Sequence, residues 1–178
     1  MRVTTLLNKH AQAFAILNTG EIRFDPAFRV SCESNACGFY GACWMCPPDV
    51  GDVHVLMARA KSYEHALVFQ TVHEIADSFD IEGMRRASKQ HNRLIYQLRR
   101  AAERQVMDCF LLGAGACGGC KTCARKKNEP CTHPDRAVVP LEAAGVDVYQ
   151  LAKLSGLPYM NGKNTVTYFG ALFYRGNT

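Results

Sequence analysis

Cys117, Cys120, Cys123 and Cys131 fall within GACGGCKTCARKKNEPCTHP, residues 115–134, as a C-x2-C-x2-C-x7-C run. Thiols this close in sequence can converge on one soft metal centre. The first three spacings match the tight loop of bacterial-type [4Fe–4S] sites, whose usual run is C-x2-C-x2-C-x3-C-P. Small residues at Gly115, Ala116, Gly118 and Gly119 let the backbone wrap a bulky inorganic core and turn its amides inward. Zinc is the competing metal. Its structural sites use paired C-x2–4-C knuckles, and three cysteines in series at two-residue gaps fit that pattern less naturally. Spacing favours iron–sulfur over zinc. Lys121, Arg125, Lys126 and Lys127 either bring positive charge to a thiolate-rich centre or form a solvated basic loop.

A second run, Cys32, Cys37, Cys43 and Cys46, reads C-x4-C-x5-C-x2-C-P-P and lacks the radical-SAM spacing C-x3-C-x2-C. It can hold a cluster of its own. Cys46 precedes Pro47, and in two-cluster ferredoxins the cysteine before proline crosses over to the other cluster, so ligand sharing with the 117–123 triplet is a further option. A blander reading leaves Cys43 as a buried thiol. Gly38, Tyr40 and Gly41 suit a turn beside the metal, and Phe39, Tyr40, Trp44 and Met45 can shield it from water or belong to the local core. Cys109 lies in an apolar run and reads as a small hydrophobe. His133 follows Cys131 closely and reads as a turn residue or a hydrogen-bond partner before it reads as a ligand. His54 and His91 read as helix-face residues without catalytic work.

Disulfides are the poorer account of the nine cysteines, because MRVTTLLNKHAQAF does not read as a signal peptide and a cytoplasmic location is expected. No apolar run approaches the length of a membrane span. A chain of 178 residues, 48% hydrophobic and 21% charged, suits one globular domain, here 1–178, with the cysteine segments 32–48 and 117–134 as insertions. The net charge of +5 permits an acidic protein partner or a nucleic acid and proves neither.

The elements that must position these thiols follow from periodicity. A helix is predicted over 4–18, with Leu6, Leu7, His10, Phe14 and Leu17 on one face and Gly20 as its end. EIRFDPAFRVSC predicts a short strand or hairpin that delivers Cys32. Asp49 or Asp52 caps a helix carrying Val53, Leu56, Met57 and Ala60. HALVFQTV predicts a strand at 65–72 buried on both faces. The clearest helix spans about 82–106, with Ala87, His91, Leu94, Ile95, Leu98, Ala102 and Val106 inward and Arg85, Arg86, Lys89, Arg93, Arg99, Arg100 and Arg104 outward. Strands at 108–113 and 164–174, a short helix near 140–144 ended by Gly145, and a helix capped by Asp147 complete the pattern. The expectation is a small α/β or α+β domain, a helix-covered sheet bearing two cysteine-rich metal-binding loops.

The stretches CGFYGACWMCPP, LLGAGACGGCKTC, PCTHPDRAVVPLEAAGVDVYQLA and the final aromatic strand resemble the family of predicted metal-binding proteins, domain of unknown function 2284. The resemblance covers about Arg29 to Tyr174. It implies that Cys32, Cys37 and Cys46 match recurrent N-terminal cysteines and Cys117, Cys120, Cys123 and Cys131 the C-terminal set. Cys43 is a departure from the family pattern, and Ala116 stands where relatives carry proline. The family implies metal binding of an iron–sulfur kind and brings no reaction with it.

These readings converge on an iron–sulfur protein with one or two [4Fe–4S] clusters, serving electron transfer or a redox accessory role with a redox protein as partner. One alternative is a metalloenzyme with an open iron site held by Cys32, Cys37 and Cys46. Another is a zinc-stabilised interaction module, with nucleic acid disfavoured because no recognised nucleic-acid fold signature accompanies the basic helix.

Overall fold

In the computed structural model, which describes residues 2–105 and 107–176, five strands form one mixed sheet. They are β1 (Ala13–Asn18), β2 (His65–Glu74), β3 (Cys109–Gly113), β4 (Val139–Pro140) and β5 (Thr165–Tyr174), in the spatial order β1-β2-β5-β3-β4. All neighbours run antiparallel except β3 and β4, whose two-residue pairing sets Gly113 opposite Pro140. The long central pair is β2 with β5, in register from His65 opposite Tyr174 to Glu74 opposite Thr165. Ala66, Leu67, Val68 and Phe69 are all fully buried, as expected of a strand covered on both faces.

Helices α1 (Val3–His10) and α4 (Ile81–Arg104) cover one face. There Leu7, Ile95 and Leu98 pack on Leu67, Phe69 and Leu172. The other face takes α3 (Val53–Lys61) and α5 (Val148–Ser155), with Ala60, Leu151 and Ala152 against Val68, Ala171 and Phe173. Asp52 caps α3 by accepting from the amides of His54 and Val55, and Asp147 caps α5 at Gln150. The architecture is α+β, a helix-covered sheet in a small single domain.

Two stretches depart furthest from expectation, and a third differs in part: Pro140, expected to open a short helix, lies in β4, and the helical turn is Glu142–Ala144. The segment predicted as one helix over 4–18 is α1 followed by β1. Phe14 points to the α1–α4 face and Ala13 and Leu17 to the other, an alternation that an i, i+3 spacing mimics over so short a run. Pairing with β2 supplies its backbone hydrogen bonds. EIRFDPAFRVSC makes no hairpin. Phe24 forms a single bridge to Val146, and Asp25 then accepts from the Ala27 amide at 2.9 Å, starting α2 (Ala27–Val30). Asp-Pro therefore opens a helical turn rather than an edge strand. Cys32 arrives on a 3-10 turn at Ser31–Ser34. Helix α4 otherwise matches its predicted inner stripe; Val106, assigned to that stripe, lies outside the described residues. No helix is long and apolar enough to cross a membrane among the described residues.

Candidate metal centre

The two cysteine runs leave the fold at neighbouring places. The 114–138 segment departs from the end of β3 and returns to β4, and the 31–52 segment joins α2 to α3. The first is pinned by α4. Tyr96 and Asn92, one turn apart on that helix, lie against the loop that carries Cys117. The Tyr96 hydroxyl donates to the Cys117 carbonyl at 2.8 Å and lies 3.8 Å from its Sγ. Gly118 sits at φ +65°, and a Cβ there would come within 2.4 Å of the Asn92 side-chain nitrogen, so only glycine fits. The stretch leading into the second run is held by residues 142–147: Asp25 donates its amide to the Gly145 carbonyl at 2.7 Å, and Asp147 donates to the Arg23 carbonyl at 3.3 Å.

Three links then lock one run to the other. Trp44 donates its indole N–H to the Glu129 carbonyl at 2.9 Å. Arg125 bonds Asp49 through Nε at 2.7 Å, in a pair largely withdrawn from solvent, and its guanidinium lies 5.2 Å from the Trp44 ring centroid. The third link is made by the thiols. Cys43 is buried and interacts with the Cys46 and Cys123 thiols and with the backbone amides of Met45 and Cys117. The hydrogen bond from Cys46, helped by those amides, pulls the Cys43 thiol down to about 6 against the cost of burial. Cys46 moves the other way, raised first by its bond to Cys43 and then by burial. The pair shares one proton: the first is given up readily and the second is held.

Cys32 and Cys37 lie close enough to act on Cys46 electrostatically, and burial followed by the neighbouring Glu142 raises the Cys32 thiol. Glu142 is itself half-buried, and that burial raises its carboxyl. Cys120 is exposed, 3.4 Å from the Thr132 hydroxyl, which brings the Cys131 end of the loop back toward the triplet. Cys43 thus connects the first run, in which Cys32 and Cys37 act on Cys46, to Cys123 of the second. Among the described residues, no three Cys, His, Asp or Glu side chains are arranged to hold a single metal ion.

Other sequence candidates separate cleanly. Cys109 packs against the α1–α4 core at the opposite end of β3. His133 is exposed and precedes the 3-10 turn Pro134–Arg136. His54 is exposed on α3. His91 is buried, bonded through Nδ1 to the Thr71 hydroxyl at 2.9 Å, and has no place among the thiols. Of the residues expected to cover a metal, Met45 packs against the core, Trp44 bridges the two runs and Phe39 is exposed. Tyr96, Asn92 and Glu142 escaped the sequence reading because each reaches the site from an element remote in sequence, whereas Asp49, read as a helix-cap candidate, pairs instead with Arg125.

The donor chemistry fits a soft metal or cluster: thiols predominate, and amide N–H groups at Cys43 suit a sulfur that carries negative charge when ligated. A family model described as predicted metal-binding protein (DUF2284) matches residues 15–174. No curated protein and no solved structure is detectably similar.

Proposed function

The chain belongs to the DUF2284 family of predicted metal-binding proteins, and from that premise we propose that it is an iron–sulfur protein serving electron transfer or a redox accessory role. Cys32, Cys37, Cys43, Cys46, Cys117, Cys120, Cys123 and Cys131 are the residues that would hold one or two [4Fe–4S] clusters. Such a cluster supplies one-electron chemistry when bound. The observation that carries the reading is that the two cysteine runs are tied together by Trp44 on the Glu129 carbonyl and Arg125 on Asp49, with Cys43 buried and its thiol lowered in part by the Met45 and Cys117 amides. Those amides stabilise negative charge on sulfur, the means by which a protein raises the potential of such a centre. Tyr96 fixes the Cys117 backbone, while Trp44 and the Asp49–Arg125 pair hold the runs together and restrict water.

The partner in this reading is an acidic redox protein. Arg85, Lys89, Arg93, Arg100 and Arg104 are exposed on α4. At the helical period they fall within about 100° of one another. Tyr96 of the same helix touches the Cys117 loop, so the cationic face borders the cysteines. Opposite charge across such a face speeds encounter more than it tightens the complex.

Protein purified without oxygen is expected to contain iron and acid-labile sulfide in matched amounts and to lose visible absorbance reversibly on reduction. A colourless protein carrying stoichiometric zinc after anaerobic reconstitution would overturn the proposal. Cys43→Ser is expected to lower iron content, and Cys109→Ser to leave it unchanged.

A further inference from the structure

A cavity of about 370 Å³ opens where the ends of β3 and β4 meet the first half of β5, and no cysteine lines it. That size is within the range of small-molecule sites. One wall is aromatic. Tyr159 stacks on Phe169 with ring centroids 6.0 Å apart and planes 17° apart, and Tyr149 of α5 braces Tyr159 edge-on at 5.5 Å. The lining also carries polar groups. Asn161 uses its side-chain N–H groups on the Thr167 hydroxyl at 2.9 Å and the Pro158 carbonyl at 3.1 Å, which leaves its Oδ1 as an acceptor. Glu142 adds the one carboxyl of the lining, and no lysine, arginine or histidine is among the lining residues.

A flat ring, two acceptor groups and no cation specify a ligand class. We propose that this cavity binds a small planar organic molecule, neutral or cationic, that stacks on Tyr159 and donates N–H groups to Asn161 and Glu142. An anion of the same shape would meet acceptor oxygens with no positive charge to offset them. The exclusion is local, since the chain as a whole carries a net charge of +5. The bound molecule would also be a neighbour of the thiols without touching them. Gly115 of the lining lies two residues before Cys117, and Glu142 acts electrostatically on Cys32. Occupancy of the cavity is therefore positioned to influence the cysteine runs, while binding itself requires only the folded chain and stands apart from the metal reading.

The test uses benzamide, benzamidine and benzoate, which share one shape and differ in charge. Ligand-observed NMR on the full-length protein, purified without oxygen, is expected to detect benzamide and benzamidine, with benzoate at least about tenfold weaker, a margin of about 1.4 kcal/mol. Tyr159→Ala should weaken benzamide at least about fivefold, and Tyr159→Phe, which keeps the ring, should retain its binding. Glu142→Gln should narrow the gap between benzamidine and benzoate. Benzoate binding as tightly as the other two, no binding of any of the three at millimolar concentration, or indifference to both Tyr159→Ala and Glu142→Gln would overturn the proposal. Circular dichroism confirms that each variant is folded, and metal analysis of the same samples tells a failure here from a failure of the iron–sulfur reading.

Discussion

The α1–α4 face of the sheet and the cysteine layer at its end are built by opposite means. On the first, Leu7, Leu67, Ile95, Leu98 and Leu172 are wholly buried, and their stability comes from many interchangeable apolar contacts. The second has no regular strand and only short 3-10 turns between Ser31 and Asp52 or between Ala114 and Val138. It is held by a few specific links: Tyr96 to Cys117, Trp44 to Glu129, Asp49 to Arg125 and Cys43 to Cys123. On the proposed reading, a layer of that kind folds as a platform and is expected to gain its remaining order on binding metal, because thiols that repel when ionised are reconciled by a cation. The two regions should therefore fail independently.

The largest expected effect tests the first region. Leu98 is fully buried in α4, and Leu98→Ala should cost about 2–5 kcal/mol of global stability in denaturant titration. Below its lowered melting temperature the variant should still carry its full complement of metal. Metal content that falls in step with stability would show that the two regions are one cooperative unit.

The next effect comes from His91, also in the first region. It is packed against the Phe69 and Tyr168 rings and bonded to Thr71, which in turn contacts His73 at 3.0 Å, and its buried Nε2 has no hydrogen-bond partner among the described residues. Burial, then the nearby His73, pulls its pKa from 6.5 down to about 3. A folded-state pKa below the unfolded one favours the neutral ring. The contribution is complete above pH 6.5 and is lost as pH falls toward the folded value, since the unfolded chain binds the proton first. The loss should be about 1.4 kcal/mol per pH unit, hence roughly 3 kcal/mol over two units. Stability measured across that window should fall less steeply in His91→Gln than in the parent. Equal slopes would mean that His91 is already charged in the fold.

Arg125 turns the comparison to the second region. Removing its guanidinium leaves Asp49, about 15% exposed, without its partner. Arg125→Ala should cost about 1.5–3 kcal/mol, in keeping with a charged hydrogen bond that is mostly withdrawn from water. The expected readout is local: faster proteolysis and hydrogen exchange between residues 115 and 134, and quicker metal release, with exchange in β2 and β5 unchanged. Deprotection of the central strands would erase the distinction between the regions.

How much of this was legible in sequence follows the same division. Periodicity located α3, α4, α5, β2, β3 and β5 and their inward faces, because burial against a sheet selects residue types at fixed intervals. It failed at β1, where six residues are too few to separate a period of two from one of 3.6, and at Asp25-Pro26, where a turn-forming pair overrode apparent alternation. Spacing in the two thiol runs pointed to metal chemistry, and the family model agrees on metal binding. The relation between the runs was not legible. Cys43 and Cys123, Trp44 and Glu129, and Asp49 and Arg125 are each separated by more than seventy residues, and no local pattern records such pairings. The same holds for Glu142, half-buried beside Cys32 on a turn that otherwise reads as a helix end.

The smallest effect sharpens the comparison furthest. Trp44→Phe keeps an aromatic surface for Arg125 and deletes only the N–H donated to the Glu129 carbonyl. A single neutral hydrogen bond is worth about 0.5–1.5 kcal/mol net, so denaturant stability should change little. Metal release amplifies the loss, because it requires the two runs to part, and about 1 kcal/mol at that step corresponds to a roughly fivefold faster rate. A comparable substitution on the sheet side, such as Tyr174→Phe, should leave the release rate unaltered. If Trp44→Phe releases metal at the parent rate, the indole bond is incidental, and the cysteine layer is held by its ion pair and thiols alone.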